Sequence, residues 1–121
     1  MTRSKLRRGD IVLAAFPFAD FSTLKRRPAL VLNENTEHGD VILAFITTQN
    51  PTQLSPTLVT LESTDSEFKT TGLKTTSTIR LDKIATIERN LITRRLGKLG
   101  PRKLIAVERA LIKALRISFK K

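Results

Sequence analysis

Along most of the chain the apolar residues arrive in short runs separated by turn-forming clusters; only near the end do they recur at helical spacing. The run "IVLAAF" at 11–16 follows the turn signal Gly9-Asp10 and is stopped by Pro17, which predicts a buried strand. "FADFSTLKRR" carries turn-forming Asp and Ser and predicts a loop. "PALVLN" at 28–33 predicts a second strand, with Pro28 at its first position, where a missing N–H is tolerated. After the loop at 33–40, "VILAFITT" at 41–48 predicts a third strand, and "TLVTL" at 57–61 a fourth. Residues 62–76 read as polar loop with one irregular turn. "STIRLDKIATI" at 77–87 begins in strict alternation: Ile79 and Leu81 on one face, Thr78, Arg80 and Asp82 on the other. A short turn at "ERN" and a small strand around 93–99 follow.

The ending "GPRKLIAVERALIKALRISF" changes period. Pro101 suits a first helical position. Leu104, Val107, Leu111 and Leu115 form an apolar stripe, widened by Ile105 and Ile112. Late Lys and Arg suit the negative end of the helix dipole. These signals predict an amphipathic helix over 102–118. The expected fold is mainly β: a small SH3-like antiparallel β barrel or curled sheet closed by one C-terminal helix. Residues 1–8 read as a basic arm and 9–118 as a single domain.

Composition narrows the chemistry. The 121 residues include no Cys and one His, His38, so thiolate metal sites, disulfides and a His-pair acid–base mechanism within one chain are excluded. His38, beside Gly39, reads as a solvated loop residue. No apolar run approaches the ~20 residues of a membrane span. "MTRSKLRRGD" leads into a strand without a small-residue cleavage pattern, so no signal peptide is read and the expected compartment is the cytoplasm. Lys and Arg number 22 against 11 Asp and Glu, a net charge of +11. Such a balance points to a polyanion, an acidic protein or an anionic surface as partner.

Three short motifs carry candidate chemistry. Arg80 and Asp82, two apart on a strand, point the same way; they form a surface ion pair or together face a third group. Lys25-Arg26-Arg27 before Pro28 is a solvated loop end or a bidentate grip on phosphate. Thr47-Thr48-Gln49 is an ordinary strand end or a hydroxyl donor aimed at a phosphate oxygen. Phe16 reads as core. Phe18 or Phe21 would offer a base-stacking platform, although six Phe without Tyr or Trp make a poor aromatic nucleic-acid face. The cations of the C-terminal helix read as a solvated face.

The order "RGDIVLAAF", "RRPALVL", "ILAFITTQ", "STIRLDKIATIE" and a C-terminal helix resembles the MazF/PemK (Kid) toxins of toxin–antitoxin systems over about residues 8–118. The resemblance implies a small β barrel with a C-terminal helix, usually a homodimer. It implies a metal-independent, sequence-specific endoribonuclease acting on single-stranded RNA, often mRNA, without a cofactor or membrane association. A cognate acidic antitoxin would hold it in check. By position, the resemblance makes Arg27, Thr47, Arg80 and Asp82 catalytic; their sequence neighbours Lys25, Arg26, Thr48 and Gln49 are expected to bind the substrate. Its chemistry uses the 2′-OH of RNA as nucleophile, with Asp82 as base, Arg27 and Thr47 stabilising charge on phosphorus-bound oxygens, and Arg80 as a further electrostatic stabiliser or, as in the PemK branch, the acid. The first loop, "ADFSTLKRRP", lacks the Glu-Gln and His of many relatives, and the family's Asp-Gln becomes Asp82-Lys83. Two other readings use the same fold: a gyrase-binding inhibitor like the CcdB toxins, and a binding module that grips nucleic acid through charge alone.

Overall fold

Residues 5–17, 24–34, 39–49 and 53–118 are described by a computed structural model. Six strands and a helix follow in order: β1 (Asp10–Pro17), β2 (Leu24–Val31), β3 (Asp40–Thr47), β4 (Leu58–Leu61), β5 (Ser77–Glu88), β6 (Ile92–Lys98) and α1 (Pro101–Leu115). Single 3-10 turns lie at Lys69–Thr71 and Arg89–Leu91. The strands form one antiparallel sheet in the order β4-β5-β3-β2-β1-β6. The architecture is the expected one: mostly β, a curled antiparallel sheet with one C-terminal helix.

Both faces of the sheet are covered in the middle. On the helix side Ile11, Leu30, Ala44, Ile46, Ile79 and Leu81 pack with Val107 and Ala110. On the other side Val12, Ala14, Ala29, Val31, Val41, Leu43 and Ile87 pack with Leu6. A strand buried on both faces gains from an apolar residue at every position, which is why β1 and β3 read as unbroken runs. Within the segment read as a basic arm, Leu6 is only 2% exposed and packs against the sheet, while Lys5 and Arg7 are exposed. Residues 1–4, the Phe16 side chain, Phe18, Phe21, His38 and residues 50–51 lie outside the described residues.

Two boundaries depart from expectation. First, β2 starts at Leu24 rather than Pro28, so Lys25, Arg26 and Arg27 are strand residues and not a loop end. Pro28 sits mid-strand opposite Leu13. It is tolerated there because the β2–β3 ladder spans only Ala29, Leu30 and Val31, so at Pro28 the strand has one bonded edge. Second, α1 ends at Leu115, three residues early. Arg116 turns left-handed (φ 54°) and closes the helix by donating its N–H to the Ile112 and Lys113 carbonyls. The Ile117 N–H returns to the Ile112 carbonyl at 3.0 Å. This is the usual closing pattern of a helix terminus, made here without glycine.

Close approach fixes one glycine. Gly72 has φ +75°, and a Cβ there would run into the main chain of Leu96. Only glycine lets the first 3-10 turn press against β6.

Candidate active site

Strand register aligns the candidate residues. Leu58 stands opposite Arg80, Arg80 opposite Phe45, and Phe45 opposite Ala29, one row across β4, β5, β3 and β2. The next row holds Thr60, Thr78 and Thr47. Directly opposed residues share a face, and Ala29 belongs to the face away from α1. Arg27 lies two residues before Ala29 and keeps that face. Thr47 lies two residues after Phe45. Extended in the antiparallel sense, the Ala29–Phe45 pair brings Arg27 level with Thr47.

Asp82 keeps the face of Arg80, two residues before it, and sits within an irregularity. Ala44 pairs with Ile84, but the next residue, Phe45, pairs with Arg80. Residues 81–83 therefore have no β3 partner, and the Leu81 N–H bonds sideways to the Thr57 carbonyl at 3.0 Å. The predicted alternation holds up to Asp82, with Ile79 and Leu81 in the helix-side core. Beyond the bulge the parity inverts: Ile84 packs on the helix side, while Ala85 and Ile87 pack on the other. The three unpaired residues shift the register by an odd number, which exchanges faces.

Arg80 and Asp82 form a two-point ion pair: Nε to Oδ1 at 3.1 Å and Nη2 to Oδ2 at 2.9 Å. The side-chain hydrogen bonds from Arg80 hold the Asp82 carboxyl below its ordinary range, and the Arg80 charge and nearby Lys83 act in the same direction. The same hydrogen bonds raise Arg80 above its ordinary value. The pair is thus a fixed carboxylate beside a fixed guanidinium. The Thr47 hydroxyl accepts the Gln49 N–H at 3.1 Å, which leaves its own proton to be donated elsewhere.

The structure brings Arg27, Thr47, Arg80 and Asp82 to one sheet end, with Lys25 farther along β2 in the same alternation. Thr48 and Gln49 follow the end of β3 and are exposed. Arg26 is the exception. It pairs with Ala15, and alternation turns it to the opposite face from Arg27.

Sequence reasoning missed Phe45 and the placement of Lys83. Phe45 occupies the centre of the row, and the Lys83 ammonium lies 5.1 Å from its ring centroid. The clue was present in part, because Phe45 precedes Thr47 by two on the same strand. The bulge that carries Lys83 to it leaves no mark in the periodicity. Among the described residues no three His, Cys, Asp or Glu assemble as a metal-ligand set.

The fold is that of a small basic β protein, a short curled sheet with two arginines, a threonine hydroxyl and an aspartate at one end. Residues 7–115 match the sequence profile of the PemK-like, MazF-like toxins of type II toxin–antitoxin systems, and the chain belongs to that family. It is 31% identical over 114 residues to the probable endoribonuclease MazF of Mycolicibacterium smegmatis, covering 93% of this chain and 99% of that one. Among solved structures it resembles an endoribonuclease in complex with its cognate antitoxin from a mycobacterial species, with a TM-score of 0.72, 20% identity, and 95% and 99% coverage of the two chains. It also resembles MazF from Deinococcus radiodurans, with a TM-score of 0.72, 22% identity, and 95% and 100% coverage. At such identities the structural likenesses speak for the fold.

Proposed function

We propose that this protein is a toxin endoribonuclease that cuts single-stranded RNA, mRNA included, at a short sequence by attack of the 2′-OH without a metal ion. The observation that carries the reading is the convergence of Arg27, Thr47 and the Arg80–Asp82 pair on one open sheet end. The membership of the toxin family and the relative named as an endoribonuclease support it.

The chemistry follows from the geometry. The scissile phosphodiester binds between Arg27 and Arg80, with the Thr47 hydroxyl donating to a non-bridging oxygen. Arg80 turns one N–H from Asp82 to the phosphate, which releases a carboxylate oxygen to take the 2′-OH proton. The 2′-oxygen forms a bond to phosphorus, and the bond to the 5′-oxygen breaks. The products are a 2′,3′-cyclic phosphate and a 5′-hydroxyl whose proton comes from water admitted by the exposed site. Arg80 acts as an electrostatic stabiliser, since its proton is held more tightly than usual by Asp82. Lys25, Thr48 and Gln49 extend the grip to neighbouring nucleotides; Arg26, on the other face, contributes to the general positive field. Phe45 and Lys83 form the floor beside the phosphate.

The protein works in the cytoplasm as a homodimer, neutralised by a cognate acidic antitoxin. The mycobacterial relative solved with its antitoxin supports that partnership, and +11 of net charge suits both RNA and an acidic inhibitor. No helix among the described residues is long and apolar enough to cross a membrane. The deciding experiment is incubation of the purified protein with a long single-stranded RNA in EDTA, reading fragment ends by mass. Discrete fragments with cyclic-phosphate and 5′-OH ends, lost in Arg27→Ala, are expected; intact RNA from folded protein would refute the reading.

A further inference from the structure

Two consecutive residues of β5 turn to the same face. Alternation carried forward from Arg80 puts Asp82 on the face away from α1. Alternation carried back from Ile84, which packs on the helix side, puts Lys83 there too. The irregularity at 81–83 allows this, since a bulge re-aims a side chain that regular pleating would turn away. The Lys83 ammonium lies 5.1 Å from the Phe45 ring centroid, and Phe45 stands opposite Arg80. A carboxylate and an ammonium from adjacent positions thus share the face that carries Arg27 and Thr47.

β3 lies between β2 and β5, so a phosphate held by Arg27 and Arg80 rests over β3, where Phe45 and its ammonium are. The other groups there are poor sources of a proton. Arg80 holds its protons more tightly than usual because Asp82 accepts its hydrogen bonds, and arginine does not deprotonate in proteins. Asp82 is ionised and takes a proton rather than giving one. Lys83 hydrogen-bonds to no described residue; the ring face holds its charge and leaves N–H groups to donate. An ammonium is a far stronger acid than the alcohol it would protonate. Lys25, also on this face, lies two residues beyond Arg27, about 6–7 Å farther along β2. Where the family pattern has Asp-Gln, this chain has Asp82-Lys83, and glutamine has no such proton to release.

We propose that Lys83 is the general acid of RNA cleavage, carried onto the site face by the bulge and held there by the Phe45 ring. Asp82 takes the 2′-OH proton and the 2′-oxygen bonds to phosphorus. The bond from phosphorus to the 5′-oxygen breaks, its electron pair stays on that oxygen, and a Lys83 N–H proton joins it. Asp82 then loses its proton to water and the Lys83 amine regains one from water, so both groups are reset and the water of the open site remains the ultimate donor. The inference rests on the proposed function and adds a residue to it.

The test compares two oligonucleotides that span one mapped cut site, one all-oxygen and one with sulfur in place of the bridging 5′-oxygen at the cut. A thiolate leaves without being protonated, so the sulfur substrate has no use for an acid. Single-turnover rates are read at saturating protein, which separates chemistry from binding. Lys83→Gln should cut the all-oxygen substrate about 10²–10⁴-fold more slowly than the parent and the sulfur substrate near the parent's rate. Lys83→Arg keeps the charge over Phe45 and should be as slow as Lys83→Gln on the all-oxygen substrate. Lys25→Gln should affect both substrates alike. An equal loss on both substrates in Lys83→Gln, full activity in Lys83→Arg, or sulfur rescue in Lys25→Gln instead overturns the proposal. Uncut RNA from the folded parent would remove the ribonuclease reading and this role together, whereas a parent that cuts beside an unimpaired Lys83→Gln removes only the role of Lys83.

Discussion

The two faces of the sheet are built from the same strands and end differently. On the helix side, Ile79 and Leu81 are fully buried under Val107 and Ala110, and the face closes as core. On the other side the apolar middle gives way, within two residues along β2 and β5, to Arg27 and to Arg80 with Asp82. One strand, β5, therefore presents stability on one face and chemistry on the other, and substitutions one residue apart should separate the two.

The largest effect is expected in the helix-side core. Leu81→Ala should cost about 2–5 kcal/mol of stability, because it removes a fully buried side chain from packed surroundings. Denaturant unfolding measures it. A loss below about 1 kcal/mol would show that the site face, not α1, dominates the fold. Opposite in kind is Arg27→Ala, at an exposed position. Cleavage should fall about 10²–10³-fold, the usual scale for removing one donor to a developing oxyanion, with stability within about 0.5 kcal/mol of the parent. A cleavage rate like the parent's would remove Arg27 from the chemistry.

How much of this division was legible in the sequence depends on the element. The alternation of 77–82 named both faces of β5 correctly, because period two is a strong signal when one face is core and the other polar. The helix was equally plain, apart from its last turn, where a non-glycine left-handed residue gave no warning. The start of β2 was hidden: Lys-Arg-Arg-Pro looks like loop, but it pairs with β1, and the lack of a β3 partner before Ala29 leaves room for the proline. The convergence of Arg27 with Thr47 depends on cross-strand register, which no single segment encodes. Lys83 beside Phe45 depends on the bulge, which is likewise a property of the pair.

That contact offers a subtler probe of the site face. Lys83→Ala uncovers the Phe45 ring and removes one cation. RNA binding should weaken, and the dependence of affinity on salt should become shallower by about one ion's worth of counterion release. Titrations at two salt concentrations measure the change; an unaltered slope would place Lys83 outside the RNA path.

The smallest effect, and the most diagnostic, concerns pH. Asp82 is held below its ordinary range by Arg80, so its contribution to stability is present above the unfolded value of about 3.9 and is lost as pH falls through the lower folded value. Both side chains are well exposed, at 43% and 39%, so the stabilisation is about 0–1 kcal/mol, barely visible in unfolding. Catalysis amplifies it. A base must be ionised to act, so the acid limb of the rate profile should lie below the ordinary carboxylate range and move back up into that range in Arg80→Ala. That variant should also be slower at neutral pH, since the same guanidinium stabilises the phosphate. If the limb stays in place when Arg80 is removed, the group that titrates is not Asp82, and the carboxylate on this face serves only to orient its arginine.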